Sequence, residues 1–514
     1  MGQTYQPRTH MHSENMTAKT PNYLELEKHL ARATHLKNIL SLAEWDVSTM
    51  LAPGSAPSRQ REMATVASIL HQMRTGPEVG SLIEAATQEV GALDEWQKAN
   101  LRLAQKTYQE AKCIAPEMEQ EYIRMAGECE FVWRTARKNN DFKQLAPHLD
   151  RLFAITRQIA NIKADHLGKK PYEVLLDACN PDCTSVDIQE SYAVLKAELP
   201  GLVQAVVAKQ ASEKAIPLTE PISQATQKKI CLKIIEKMGF SLHHGRLDES
   251  VHPLCLGSND DIRLTTRYEE GNFLSGLTAA IHEAGHGLYQ QNLPKKYRDQ
   301  PVGAYKGSDF HESQSIIMER QAAISQAFME YLSQLLRDEF SLQGSAYEAD
   351  NLYKLLTRVT PSFVRVEADE VTYPLHVILR FEIEQAIVEG SVQANDLPAL
   401  WNEKMQEYLG IVPQTDTLGC MQDIHWPLGM VGGFPAYTNG AIMASMLMQA
   451  ARQKYPDIDT ELRSGVFDSL NTYLTENLRQ FGSLKSSADL LAGATGYRQV
   501  EPKIFVNYLK QKYL

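Results

Sequence analysis

Residues 282–286 read HEAGH, and these residue types at this spacing suit a metal-dependent hydrolase. On an α-helix, residues four apart lie one turn apart on the same face, so the imidazoles of His282 and His286 can bind one cation. Glu283 lies beside them and is free to act as a base. The motif therefore predicts a catalytic site in which a cation activates a water molecule and Glu283 transfers its proton.

A helix must carry this motif. Over residues 272–291 the apolar residues recur at helical spacing, at Leu274, Leu277, Ile281 and Leu288. Gly285 and Gly287 lower the stability of such a helix by about 1 kcal/mol each relative to alanine. Glycines in this position predict that another segment approaches the helix backbone closely.

A catalytic metal ion also needs a third protein ligand on a neighbouring element. Glu312 is the candidate, because residues 308–315 have the pattern of a helix start, with Ser308 or Asp309 as the N-cap and Glu312 completing a capping box. Apolar residues at helical spacing extend this helix to Leu332. The structural alternative is that Glu312 only interacts with the helix dipole.

Further sequence blocks occur in order along the chain. They are WDVSTM at 45–50, DIRLTTRY at 261–268, HESQS at 311–315, VRVEADE at 364–370 and GCMQDIHW at 419–426. Together with HEAGH, these blocks make the chain resemble the carboxypeptidase Taq family of thermostable metallocarboxypeptidases. Several ordered blocks are more specific than one motif alone.

The resemblance implies a mainly α fold, with residues 21–514 as a single large helical domain that has a deep substrate groove and a small β-sheet next to the HExxH helix. It implies a homodimer and a metal-dependent carboxypeptidase that removes single amino acids from the carboxyl terminus of peptides. Broad specificity with poor release of proline is part of that expectation. The implied cofactor is one Zn²⁺ per chain, with Co²⁺ or another divalent metal as alternatives.

Matched residue by residue, the resemblance implies three metal ligands and one general base, which are His282, His286, Glu312 and Glu283. Arg365 matches the arginine that holds the terminal carboxylate of the substrate. His425 matches a histidine that contacts the substrate or the oxyanion, and Tyr437 is a second candidate for an oxyanion donor. Gly433 replaces an aromatic residue of the family, which leaves the substrate selectivity open.

Other assignments have structural alternatives. Arg365 could form an ion pair with an acid in the segment 367–370, and His425 could be a buried core histidine. Arg263 and Arg267 alternate with other residues in a strand-like run, so they either lie on an exposed face or face the substrate from a strand beside the HExxH helix. Glu319, two turns after Glu312, is either a hydrogen-bond partner of a ligand or a solvated glutamate.

Two other functions remain open at this point. An endo-acting metallo-oligopeptidase could use the same ligands in a helical groove, but it would not need an anchor such as Arg365 for a free carboxylate. A non-catalytic, metal-stabilised binding protein would not need Glu283 as a base, because a structural metal site usually fills its fourth position with protein.

Composition limits the partners and the location. The chain has 514 residues and a formal net charge of −11, without clustered lysines and arginines, so we expect no nucleic-acid partner. No stretch of about 20 apolar residues is present, and the first residues lack the apolar segment of a secretory signal, so we expect a cytoplasmic protein without a membrane span. The seven cysteines, Cys179 and Cys183 included, are expected to be free thiols. Residues 1–20 are polar and aperiodic, which predicts a disordered arm.

Hydrophobic periodicity predicts helices through much of the chain, for example Tyr23 to Glu44, Gln97 to Asn139 and Pro374 to Gly390. Strand-like sequence is confined to about residues 246–268, just before the HExxH helix. Within the helix that begins at Pro374, Arg380 and Glu384 are four residues apart, which predicts a surface ion pair.

Overall fold

Helices dominate the computed structural model, which describes residues 20–514. The first ten helices are α1 (Pro21–Thr49), α2 (Ala56–Thr75), α3 (Pro77–Thr87), α4 (Glu95–Lys112), α5 (Pro116–Asn139), α6 (Phe142–Leu167), α7 (Pro171–Leu176), α8 (Ser185–Gln210), α9 (Gln224–Lys237) and α10 (Phe273–Gln291). The remaining helices are α11 (Ser308–Ile316), α12 (Gln326–Phe340), α13 (Ala349–Leu356), α14 (Tyr373–Glu389), α15 (Leu397–Leu409), α16 (Pro435–Lys454), α17 (Ile458–Arg463), α18 (Asp468–Asn477), α19 (Ser487–Thr495) and α20 (Pro502–Tyr513). The mainly α prediction is confirmed.

A small sheet precedes α10, as predicted. Its strands are β1 (Gly245–Glu249), β2 (Leu254–Ser258) and β3 (Asp261–Thr266), in the order β1-β3-β2. The central strand β3 pairs in parallel with β1 and antiparallel with β2. The side-chain hydroxyl of Thr266 donates a hydrogen bond of 2.8 Å to the carbonyl of Gly276, which fixes the end of β3 against the first turns of α10. The sheet therefore supports the helix that carries the HExxH motif.

Both glycines of the HExxH helix lie at close approaches, as the sequence predicts. A Cβ at Gly285 would lie 2.6 Å from the carbonyl oxygen of Gln314, so α11 packs backbone to backbone against α10. A Cβ at Gly287 would lie 2.6 Å from the ring of Phe240, which precedes the sheet. Contacts this short exclude any side chain larger than hydrogen, because packed interiors leave no room to move.

The largest hydrophobic core extends from Ala126 to Tyr513 and includes the inner face of α10. A second cluster, between Tyr23 and Ala104, joins α1, α3 and α4. None of the helices within residues 20–514 is both long and apolar enough to cross a membrane. The predicted disordered arm, residues 1–20, falls almost entirely outside the described residues.

The prediction of one helix over Gln97 to Asn139 is wrong. The helix α4 ends at Lys112 and α5 begins at Pro116. Proline lacks an N–H and disfavours the helical conformation in the residue before it, so it starts a helix instead of continuing one. By contrast, the helix predicted from Pro374 to Gly390 is confirmed within one residue, and Gly390 ends it with a left-handed φ of 79°.

The predicted helix from residue 308 to Leu332 is also wrong in two details. Its N-cap is Gly307, without a side-chain cap, and the buried carboxylate of Asp309 accepts a bond from the N–H of Phe310 at 2.8 Å instead of capping. After Ile316 the chain continues as a π-helix, Ile317–Ala323, before α12 begins at Gln326. Burial of Asp309 and the π-turn are tertiary features, which the capping pattern and the helical period do not report.

The predicted surface ion pair between Arg380 and Glu384 is wrong as well. Both side chains are fully buried. Arg380 donates to the carboxylate of Asp423, and Glu384 accepts bonds from Tyr172 and Trp426 at 3.0 Å and 3.1 Å. The spacing is correct for a pair, but buried polar groups bond to whichever partners the packing supplies.

Candidate active site

His282, His286 and Glu312 come together where α10 and α11 pack against each other. One candidate ligand atom from each lies within 4.8 Å of the others. The Nε2 atom of each histidine is 3.7 Å from an oxygen of Glu312. Two imidazole nitrogens and one carboxylate are a donor set that suits a divalent transition metal, and three protein ligands leave a position open for catalysis. The residues present therefore fit a catalytic metal ion.

The second nitrogen of each histidine is held by a hydrogen-bond partner. Nδ1 of His282 lies 2.9 Å from Oε2 of Glu319, and Nδ1 of His286 lies 3.1 Å from the carbonyl oxygen of His311. With Nδ1–H donating, Nε2 of each ring faces Glu312, and its lone pair can bind a cation once that nitrogen is unprotonated. Glu319 is only 8% exposed, so it is a partner of His282 and not a solvated glutamate.

Two neighbours of the triad were not identified from the sequence as site residues. The ring of His311 stacks on the ring of His286 with centroids 4.1 Å apart, and the tilted ring of Tyr305 contacts His311 at 4.3 Å. His311 therefore packs against one face of the His286 imidazole. The second neighbour is Gly440 on helix α16, where an added Cβ would lie 2.7 Å from Cβ of Glu312. The pattern HES gave a signal for His311, whereas a single glycine in a helix gives almost none.

Burial and charge shift the ionisation of the histidines in opposite directions. Burial lowers the pKa of His282, but its hydrogen bond to Glu319 and the nearby carboxylates outweigh burial and raise the pKa to about 9. Burial, with the adjacent His311 and His282, lowers the pKa of His286 well below its usual value. One imidazole is therefore protonated at neutral pH and the other neutral, before any cation competes for the first.

Glu283 is buried beside the triad without being one of its three members. Burial raises the pKa of its carboxyl group to about 7, with the charge of His282 opposing the shift and Glu312 adding to it. A carboxyl group with a pKa near the working pH both accepts and returns a proton readily. Positive charge at the triad would lower this pKa.

Arg365 lies in a buried cluster on a second side of the site. Its Nε and Nη2 donate to Asp423 at 3.2 Å and 2.9 Å, and its Nη1 donates to the hydroxyl of Tyr373 at 2.6 Å. The expected alternative, a pair with an acid at 367–370, is therefore replaced by a pair with Asp423. Arg365 also acts on Glu312, where its charge lowers the carboxyl pKa that burial raises. The cluster consequently lies close to the metal triad.

Asp423 organises this cluster. Its second oxygen accepts a bond of 2.7 Å from Nε of Arg380, and burial would raise its pKa, but the two arginines hold the pKa well below the usual range. Gln422 accepts from the backbone N–H of Arg365 and from Arg380, both at 2.8 Å. Breaking such a buried pair typically costs about 3–5 kcal/mol, so Asp423 fixes the position of Arg365.

His425 and Tyr437 are neighbours in the same cluster. Nε2 of His425 is 3.4 Å from the hydroxyl of Tyr437, and the Tyr437 ring centroid is 5.1 Å from the guanidinium of Arg365. Burial lowers the pKa of His425 to about 4, so it is neutral at physiological pH. Its buried Nδ1 has no hydrogen-bond partner among residues 20–514. Three residues predicted from sequence, Arg365, His425 and Tyr437, thus share one location.

Arg263 and Arg267 have other partners. Arg263 donates to Asp261 at 2.7 Å and stacks 4.6 Å from the ring of Trp45. Arg267 is half-exposed and pairs with Glu269 at 2.8 Å. Their ion pairs are therefore local to the sheet and to the chain just after it, and the structure does not join them to the Arg365 cluster.

The family model for the carboxypeptidase Taq (M32) metallopeptidases matches residues 25–513. This chain belongs to the M32 family. Carboxypeptidase 1 of Bacillus subtilis is 32% identical over 485 residues, which cover 94% of this chain and 96% of the relative. Thermostable carboxypeptidase 1 of Thermus thermophilus is 31% identical over 503 residues, covering 96% and 98%.

Solved M32 structures agree with the whole fold. Trypanosoma cruzi metallocarboxypeptidase 1 superposes with a TM-score of 0.94 at 35% identity, covering 96% of this chain and 99% of that one. The M32 carboxypeptidase of Deinococcus radiodurans gives a TM-score of 0.92 at 28% identity with the same coverage. The predicted family is confirmed, and the chain is a metallocarboxypeptidase that uses a divalent metal and acts on peptides.

Proposed function

We propose that this M32 carboxypeptidase removes single amino acids from peptide carboxyl termini at the triad His282, His286 and Glu312. The proposed metal is one Zn²⁺ per chain, with Co²⁺ as a functional substitute. The observation that carries the proposal is the meeting of this triad, a buried carboxyl group with a pKa of about 7, and a buried arginine cluster. An endopeptidase would need only the first two.

When bound, the divalent cation supplies polarisation of the scissile carbonyl and a lower pKa for the attacking water. Glu283 accepts the proton of that water as the bond to the carbonyl carbon forms. It then donates the same proton to the departing amine, so that one buried carboxyl group serves as base and acid in turn. Burial raises the pKa of this carboxyl group above its usual value, which favours its acting as an acid as well as a base, and a bound cation would oppose part of that rise.

Arg365 is proposed to bind the terminal carboxylate of the peptide. Five N–H hydrogens are available on a guanidinium, and three of them are used by Asp423 and Tyr373. The two that remain, one on each terminal nitrogen, can bind a carboxylate. Because Asp423 and Tyr373 fix the plane of the guanidinium, the anchor does not have to be ordered when the substrate arrives.

His425 and Tyr437 are proposed to stabilise the oxyanion. A neutral imidazole and a phenol each have one hydrogen to donate, and both groups lie beside the carboxylate anchor. Preorganised donors of this kind act strongly where water is excluded. Arg263 and Arg267 are proposed to contact parts of the peptide away from its terminal carboxylate, because they pair with Asp261 and Glu269 at the sheet and not with the Arg365 cluster.

The expectations about substrate specificity, domain organisation, location and oligomeric state are also proposals. We propose broad specificity with proline disfavoured, because a bond to proline is a tertiary amide whose ring crowds the departing nitrogen. Residues 21–514 are proposed to work as one catalytic unit in a cytoplasmic homodimer. The large core shared between helices from α5 to α20 supports a single unit.

The test is cleavage of an amino-blocked peptide offered as the free acid and as the carboxyl amide. Protein stripped of metal is compared with protein reconstituted with Zn²⁺ or Co²⁺. Metal-dependent, stepwise release from the acid alone is the expected result. Internal cleavage of both peptides would replace the proposal with an oligopeptidase, and metal binding without cleavage would replace it with a binding protein.

A further inference from the structure

The residue that holds His282 lies on an unusual turn. Glu319 belongs to the π-helix Ile317–Ala323, where the N–H of Ile324 donates to the carbonyl of Glu319, five residues back, at 2.8 Å. An inserted π-turn interrupts the regular hydrogen-bond pattern of an α-helix, and such turns occur frequently at functional sites. Here it places one oxygen of Glu319 at 2.9 Å from His282 and the other at 3.0 Å from Arg320. The turn needs support from outside the helix.

That support comes from the helix α20, far along the sequence. Nζ of Lys512 donates to the carbonyl oxygen of Arg320 at 2.6 Å and to the hydroxyl of Tyr508 at 3.0 Å, and that hydroxyl lies 3.3 Å from the same carbonyl oxygen. A carbonyl that leaves the regular helical ladder needs another donor when it is buried. Lys512 is such a donor, and its side chain is only 7% exposed.

A buried carboxylate holds Lys512 in place. Glu370 accepts bonds from Nζ of Lys512 at 2.8 Å, from Tyr508 at 2.8 Å and from Tyr513 at 2.9 Å. Its side chain is 4% exposed, so these charge-assisted bonds are little weakened by water. Glu370 follows the short turn that carries Arg365. The network thus joins α20, the π-turn and the segment that carries the carboxylate anchor.

We propose that Lys512 is a positioning residue for the metal centre, acting through the Arg320 carbonyl and Glu319 on the ring of His282. The inference rests on the proposed metal-binding function of His282. Lys512 fixes the backbone of the π-turn, the turn fixes the carboxylate of Glu319, and that carboxylate fixes Nδ1 of His282. A ligand imidazole that is free to rotate binds metal more weakly, because its ordering then occurs at the moment of binding.

The test compares Lys512→Met with Lys510→Met in the full chain. Methionine keeps the apolar length of lysine and removes the donor. Lys510 lies on the same helix but is exposed, and its partner Glu198 is 2.7 Å away on α8. The dissociation constant for Zn²⁺ is measured on metal-stripped protein by competition with a chromophoric chelator.

Lys512→Met is expected to weaken Zn²⁺ binding about tenfold. Loss of a residue that hydrogen-bonds to a metal ligand typically weakens binding by about 10–100-fold, and we expect the lower value because Lys512 acts on His282 only through Glu319. Lys510→Met should bind Zn²⁺ like the wild type. Tyr508→Phe, which loses a single hydroxyl, should weaken binding by a smaller factor, and it carries the test if Lys512→Met does not fold. Wild-type Zn²⁺ affinity in a folded Lys512→Met protein, or in Tyr508→Phe when only that variant folds, overturns the inference.

This outcome is distinguishable from failure of the proposed function. If wild-type protein binds no Zn²⁺ and His282→Ala changes nothing, the metal site itself is wrong. If wild-type protein binds Zn²⁺ through His282 and Lys512→Met binds it equally well, the metal site stands and only the role of Lys512 is refuted. Hydrogen exchange at residues 317–323, faster in Lys512→Met than in Lys510→Met, is the expected structural signature.

Discussion

Metal binding at this site should release a proton, because His282 carries one in the metal-free protein. Its pKa is raised to about 9, mainly by the bond to Glu319 acting against burial, while His286 is neutral. A metal ion binds only the unprotonated nitrogen, so protons compete with it at every pH below about 9. The apparent affinity for Zn²⁺ should therefore rise with pH and level off near pH 9.

The size of the effect follows from that pKa. Well below it, each pH unit changes the fraction of unprotonated His282 tenfold, so affinity should increase about 100-fold between pH 6 and pH 8. Titration calorimetry at pH 8, where Glu283 is already mostly ionised and His282 is still mostly protonated, measures the protons released in two buffers of different ionisation enthalpy, with about one per ion expected. Glu319→Gln is the matched variant. Loss of the Glu319 carboxylate removes one of the groups that raise the pKa of His282, so that pKa should fall and the affinity should level off at a lower pH than in the wild type.

A flat affinity between pH 6 and pH 8 in the wild type, or no proton release, would refute this reasoning. So would a Glu319→Gln protein whose affinity levels off at the same pH as the wild type. The experiment uses binding and not turnover, so the catalytic proton transfers of Glu283 do not enter the measurement.

Three further predictions concern single residues. Glu283→Gln should abolish turnover while retaining metal, and turnover near the wild-type rate would remove Glu283 as the base. Arg365→Ala should lower kcat/KM for free-acid peptides by at least tenfold, about 1.4 kcal/mol, with metal content unchanged; equal kinetics for the variant and the wild type would exclude it as the anchor. Gly440→Ala should weaken metal binding and cost about 1–3 kcal/mol in the free energy of unfolding, because the new Cβ would lie 2.7 Å from Glu312. Gly493→Ala, at an open helical position, is its control and should be neutral or slightly stabilising in a denaturant titration.

Local patterns predicted the parts of this molecule that local interactions determine. The helix around HEAGH follows from apolar spacing, and the close approach at Gly285 follows from a glycine that would otherwise weaken the helix. The end of α14 at Gly390 follows from the left-handed conformation that glycine tolerates. The helix and its end depend on residues within a few positions of one another, whereas Gly285 predicts that some segment approaches closely without identifying it as α11.

Local sequence patterns did not predict interactions between residues that are far apart in the sequence. Arg365 pairs with Asp423, which is 58 positions away, and not with the acids that follow it. The spacing of Arg380 and Glu384 predicts a surface pair, but burial gives each a partner on another segment. The π-turn at Glu319 also leaves no hydrophobic periodicity in the sequence from which it could be predicted. In each case the choice between chemically equivalent partners is made by tertiary packing.

The arginine cluster has a consequence for charge balance in the protein interior. Arg365 and Arg380 carry two positive charges and Asp423 carries one negative charge, while His425 is neutral, so these groups sum to +2 − 1 = +1. With Arg365 as the proposed carboxylate anchor, an arriving peptide carboxylate would neutralise this excess, whereas a carboxyl amide would leave it in place. Preference for free acids then follows from electrostatics as much as from shape, and small carboxylate anions at high concentration should compete with peptide for the same charge.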